Sequence, residues 1–195
     1  MSRRIKVGIV APSARLEPAT ADRVKALAAA QFPAVELHVH PQCFRSAGHF
    51  AGPDAERAAA FVEIANDASF DAVWFGRGGY GSGRIAEAVL GRLTEAARAK
   101  TYLGYSDAGV LLAALYGKGF PNVVHGPMPA DINRTDGETA VARTLSYLAT
   151  GAADTLEPSV AASGKVAAFN LITLSQLIGT PFQPDLAGHV LMLEE

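Results

Sequence analysis

The sequence predicts an α/β protein: a doubly wound, mostly parallel sheet in an N-terminal domain, followed by the start of a second, smaller C-terminal α/β domain. Three observations carry that prediction. Short β-branched runs alternate with alanine-rich helical stretches up to about residue 150, the order that yields a parallel sheet with helices on both faces. Residues 151–163, "GAADTLEPSVAAS", lack apolar periodicity and read as a linker. A further strand, helix and strand occupy 164–195.

In chain order, "KVGIVAP" is a strand, "ATADRVKALAAAQF" a helix, "VELHVH" a strand and "DAERAAAFVEIAND" a helix. "DAVWFG" is the third strand and "RIAEAVLGRLTEAARA" one long helix after it. "KTYLGY" (strand), "DAGVLLAALYGKG" (helix), "NVVHGP" (strand) and "DGETAVARTLSYLAT" (helix) complete the first domain. Asp54 and Asp136 stand where helix caps are expected. After the linker come "KVAAF" (strand), "NLITLSQLIG" (helix) and "HVLMLEE" (strand). A β-α-β unit of roughly 30 residues cannot bury both faces of its strands. It must dock on the first domain or a partner, or the sequence is the front part of a longer protein.

Composition narrows the class. The 195 residues are 49% hydrophobic and 18% charged, as in a packed globular chain. Seventeen basic against 19 acidic residues give a net charge of -2, so no global field would gather nucleic acid or an anionic membrane. The apolar part of "MSRRIKVGIVAPSA" ends at Pro12, too short for a secretory signal, and no run reaches a membrane span. A cytoplasmic protein is expected. The single cysteine, Cys43, can form no internal disulfide and reads as buried and idle. No His or carboxylate spacing suggests a metal, and no cofactor is expected.

Two stretches carry chemistry. In "YLGYSDAGVLLAALYG" a strand ends at Tyr105, Ser106 follows, and a helix begins within two residues. Gly104 and Ala108 are small on either side, as a nucleophile elbow requires. Ser106 would then be raised above the sheet near a helix N-terminus, where an oxyanion is favoured. The alternative is that Ser106 or Asp107 only caps that helix. The other stretch, "FGRGGYGSGR", has Gly76, Gly78 and Gly81 in dinucleotide-binding spacing, but on the third strand instead of the first. Its bare N–H groups could equally serve an oxyanion on the neighbouring strand's serine. Arg77 and Arg84 flank it and suit a substrate carboxylate.

These residues resemble a known family. "VGIVAPSA", "RGGYGSGRI", "LGYSDAGVLLAAL", "HGPM" and "NLITLSQLIGTPFQPDLAGHVLMLEE" are similar, in order, to the LD-carboxypeptidase family of serine peptidases. The resemblance implies Ser106 as nucleophile and an oxyanion hole from the N–H groups of Asp107 and Gly79, with Gly78 as the alternative. It implies Glu194 as the catalytic acid, Glu195 being second choice, and a histidine several tens of residues further on. The sequence ends before that histidine, so a C-terminal truncation is expected. Of the five histidines, His38, His40, His49, His125 and His189, only His125 lies on a plausible rim, and its family position reads as structural.

The implied reaction releases a terminal D-amino acid, D-alanine, from cell-wall muropeptides during peptidoglycan recycling, with Arg77 and Tyr80 touching substrate. The partner is a small peptide, with no nucleic acid or membrane, in a homodimer. A related branch, the microcin-immunity type, cleaves acylated nucleotide antibiotics. A dinucleotide-binding module and an inactive remnant are the readings outside this chemistry. One departure stands out: where the family has two glycines before the asparagine, this chain has Ala168 and Phe169 before Asn170.

Overall fold

A computed structural model of the chain describes residues 3–161 and 164–195. Strands β1 (Ile5–Val10), β2 (Val35–Val39), β3 (Ala72–Phe75), β4 (Thr101–Gly104) and β5 (Val123–His125) form one sheet in the order β2-β1-β3-β4-β5. Every pairing is parallel, and Val10 lies beside Phe75 while Gly104 lies beside His125. The loops that follow these strands therefore leave one edge of the sheet together, where parallel α/β sheets gather ligands.

Strand alternation divides the core in two. Val73 and Phe75 point to one face, under α2 (Asp54–Asn66), α3 (Ser82–Leu90) and α5 (Gly109–Gly117), where Phe61, Ile85 and Leu111 are buried. Ala72 and Trp74 point to the other face, under α1 (Pro18–Gln31) and α6 (Gly137–Thr150), against Val24 and Leu145. Each large side chain so buried stabilises the fold by about 1.5–3 kcal/mol. Cys43 is buried with its thiol against the Ile9 carbonyl (3.2 Å), and burial pushes its pKa up to about 12. It is inert at neutral pH.

The expected long helix over 84–99 is broken: α3 ends at Leu90 and a short α4 (Glu95–Arg98) follows. Gly91 weakens the helix there, and Asn66 accepts the Thr94 N–H (2.9 Å) while donating to the Arg92 carbonyl (2.9 Å). Neither expected aspartate makes a cap hydrogen bond. Pro53 occupies the cap position of α2, so Asp54 lies inside the helix and turns to Arg84 and Arg57. Asp136 occupies the cap position of α6 in a left-handed conformation without the bond.

The expected linker carries a 3-10 turn at Ala153–Thr155 and a short helix α7 (Pro158–Ala161); its residues 162 and 163 lie outside the described residues. Beyond it, β6 (Lys165–Asn170), α8 (Leu171–Leu177) and β7 (His189–Glu194) form a parallel two-stranded sheet. It docks on α5, where Phe169 and Leu177 pack with Val110 and Ala113. The departure at Phe169 thus has a physical reason, because its ring fills this contact. Among the described residues no helix is long and apolar enough to cross a membrane.

Candidate active site

Ser106 follows β4 with φ 57°, a left-handed conformation that costs a non-glycine residue about 1–3 kcal/mol. The strain is held by the surroundings of the turn. Thr173 donates to the Ser106 carbonyl (3.2 Å), and Ser82 Oγ donates to the Asp107 carbonyl. Gly104 is required because a Cβ there would come within 2.8 Å of the Phe75 ring, so its crowding comes from a neighbouring strand's side chain. Ser106 and Asp107 do not cap α5, whose cap position is Ala108 without a side-chain bond. Instead the buried Asp107 carboxylate accepts the Ser82 N–H at the start of α3 (2.9 Å) and the Ser13 hydroxyl. It ties three loops together beneath the serine.

The glycine loop meets Ser106 directly. A Cβ on Gly78 would lie 2.9 Å from Ser106 Oγ and 3.0 Å from its Cβ, closer than any side chain tolerates. The Gly78 carbonyl accepts from the Ala14 N–H after β1 (3.2 Å). Across a trans peptide the following N–H points the opposite way, so Gly79 N–H is directed away from Ala14. Among the described residues it has no backbone acceptor. Asp107 N–H opens the 3-10 turn Ser106–Ala108, and the first N–H groups of such a turn have no internal acceptor. The Ser106 side chain thus stands against Gly78, which precedes one of these amides, and is followed in the chain by the other.

The flanking arginines differ. Arg84 is committed, bonded to Asp54 (Nε to Oδ2 2.9 Å) and lying over the Phe50 ring (5.3 Å), so the expectation that it would meet a substrate carboxylate is not supported. Arg77 is exposed, its nearest acceptor being the Arg15 carbonyl at 3.5 Å. Tyr80 is 58% exposed beside Phe50. Two positioning residues escaped the sequence reading. Arg57 is fully buried and donates to the carbonyls of Pro12, Gly52 (3.2 Å) and Gly81 (2.9 Å). Gln42 bonds Ala11 on both sides and Ala51 (2.6 Å). Only burial distinguishes them from solvated surface residues, and burial was not legible.

Glu194 ends β7 opposite Asn170, whose side chain caps α8 by accepting from Thr173 N–H (3.2 Å). Its Oε1 approaches His125 Nε2 at 4.0 Å across a cleft of about 310 Å³ that Tyr105, Asp131 and Arg134 also line. Asp131 is engaged, accepting from the Tyr105 hydroxyl (2.8 Å) and Met128 N–H (2.7 Å) and pairing with Arg134 (3.2 Å). Burial and the Asp131 carboxylate raise the Tyr105 pKa, so its hydroxyl stays protonated. Burial lowers the pKa of His125, leaving the ring neutral at pH 7. Ser106 does not line this cleft, and among the described residues no hydrogen bond joins it to a histidine. Glu195 is exposed.

Residues 7–126 match the LD-carboxypeptidase N-terminal domain. The "Probable murein peptide carboxypeptidase" of Bacillus subtilis (strain 168) is 28% identical over 199 residues, covering 97% of this chain and 61% of the relative. The "Murein tetrapeptide carboxypeptidase" of Pseudomonas aeruginosa is 45% identical over 58 residues, 29% of this chain and 18% of its own length. The chain thus spans about three fifths of the length of the Bacillus relative. Among solved structures, muramoyltetrapeptide carboxypeptidase from Oxalobacter formigenes superposes with a TM-score of 0.74 at 22% identity, covering 96% of this chain and 65% of that one. An MccF-like protein from Bacillus anthracis str. Ames reaches 0.75 at 19% identity, covering 100% and 68%. At these identities the likeness speaks for the fold. With the match spanning most of the first sheet and all of the elbow, the chain belongs to the LD-carboxypeptidase family.

Proposed function

We propose that this chain carries the nucleophile half of a serine-type LD-carboxypeptidase that releases a terminal D-amino acid, D-alanine, from cell-wall peptides during recycling of wall fragments. The observation that carries the reading is the strained Ser106 at a strand-to-helix turn, its hydroxyl against the side-chain-free Gly78. Ser106 Oγ attacks the amide carbonyl carbon. Its proton passes to an imidazole and then to the departing amine, and water hydrolyses the resulting ester. Gly79 and Asp107 N–H groups receive the oxyanion, and loss of such a donor typically costs about 100- to 1000-fold in rate. Glu194 orients the imidazole, which the resemblance puts in the part of the relatives' length that this chain does not span. Arg77 takes the substrate's terminal carboxylate beside Tyr80.

A microcin-immunity-type substrate is the second reading. It draws on the likeness to MccF in complex with glutamyl sulfamoyl guanosine (TM-score 0.73, 18% identity, covering 99% of this chain and 69% of that one). It uses the same serine and amides. Dinucleotide binding is disfavoured, because a pyrophosphate would need the N-terminus of α3, and the Asp107 carboxylate already accepts the N–H there. The test is release of D-alanine from an L,D-tetrapeptide by a form that spans the relatives' full length and so includes the imidazole. Ser106→Ala is expected to abolish it with stability changed by less than about 1 kcal/mol; retained release would remove Ser106 from the mechanism.

A further inference from the structure

We propose that His125 is a positioning residue for Glu194, its Nε2–H donating to the Glu194 Oε1 oxygen and fixing the carboxylate's orientation. The proposal rests on the reading of Glu194 as the catalytic acid. Among the described residues, Glu194 Oε1 is the one buried side-chain nitrogen or oxygen without a hydrogen-bond partner. Such an atom is costly unless a donor reaches it. The polar side chains sharing its cleft are Tyr105, His125, Asp131, Arg134 and Thr135. Tyr105 donates its hydroxyl to Asp131, and among the described residues His125 is the basic side chain that comes within 4.0 Å of Oε1. Its Nε2 stands 4.0 Å from Oε1, about 1 Å beyond a hydrogen bond.

The fold explains why the two meet. His125 ends β5 at the edge of the five-stranded sheet, and Glu194 ends β7 in the two-stranded one. A residue of the first sheet thereby reaches the end of β7, linking the acid to the sheet that carries Ser106. A carboxylate loose by about 1 Å would orient a base poorly, an error that typically costs on the order of 100-fold in rate.

The test is nitrogen-15 NMR of the His125 ring across pH, in wild type and in Glu194→Gln. The expected result is an Nε2–H tautomer at neutral pH in wild type and a midpoint lower by at least about 0.8 pH unit in the variant, the value for charges about 4 Å apart in bulk water. An Nδ1–H tautomer, or an unmoved midpoint, overturns the proposal and leaves the Ser106 reading intact. Activity, measured in a form that spans the relatives' full length, gives a second arm. His125→Ala is expected to lower kcat about 10- to 100-fold with KM within about twofold, and His125→Gln, which keeps a donor, to restore most of it. Equal losses in both variants would contradict positioning. If that full-length wild type releases no D-alanine, it is the proposed function that fails, and the titration decides for His125.

Discussion

Ser106 holds a left-handed backbone that its own side chain disfavours, and this tension gives the residue-scale prediction. Ser106→Gly removes the strain, so it is expected to raise thermal stability by about 1 kcal/mol while abolishing hydrolysis. A calorimetric scan showing no gain would mean that the turn is not strained. Gain of stability on loss of function is the mark of a site held against local preference. At this scale the sequence was informative about identity and uninformative about commitment. The spacing of Gly104, Ser106 and Ala108 announced the elbow, yet nothing in "FGRGGYGSGR" separated Arg77, left exposed, from Arg84, held by Asp54. Which arginine meets a carboxylate depends on a partner 30 residues away in the chain.

Elements near the site are tied by charged pairs such as Asp54 with Arg84 and Arg57, and their charge makes the tie sensitive to pH. Hydrogen bonds from Arg84, then Arg57, hold the Asp54 carboxyl below its ordinary pKa. A depressed acid stabilises the fold above its unfolded pKa, and the contribution is lost as pH falls through the lower folded value. Asp54→Asn is expected to lower the urea midpoint at pH 7, and the gap from wild type to narrow as pH drops below about 4. A gap independent of pH would show that the carboxylate's charge does not matter. Period and β-branching made the strands and most helices legible. The break at Gly91 was not, because Asn66, which bonds both sides of it, lies in a different element. The Asp54 and Asp136 caps failed for the converse reason: the residue type suits a cap, but long-range partners or backbone conformation decided otherwise.

For the whole molecule, the second sheet depends on α5 for burial. Phe169→Ala is expected to cost about 3–5 kcal/mol locally, exposing β6, α8 and β7 to amide hydrogen exchange while β1, β3 and β4 stay protected. Uniform loss of protection would mean that the two sheets unfold as one unit. The doubly wound topology was legible as an order of segments. The docking surface was not, since Phe169 and Val110 lie 59 positions apart and nothing local links them. Each level rests on the same claim, that the Ser106 hydroxyl faces the bare amides of the glycine turn. Peptide mapping after a form that spans the relatives' full length is exposed to a fluorophosphonate tests it most directly. One adduct on Ser106, slowed at least 10-fold in Gly78→Ala because a methyl group there would displace Oγ, is the predicted result. No adduct on Ser106, or an equal rate in the variant, would contradict it.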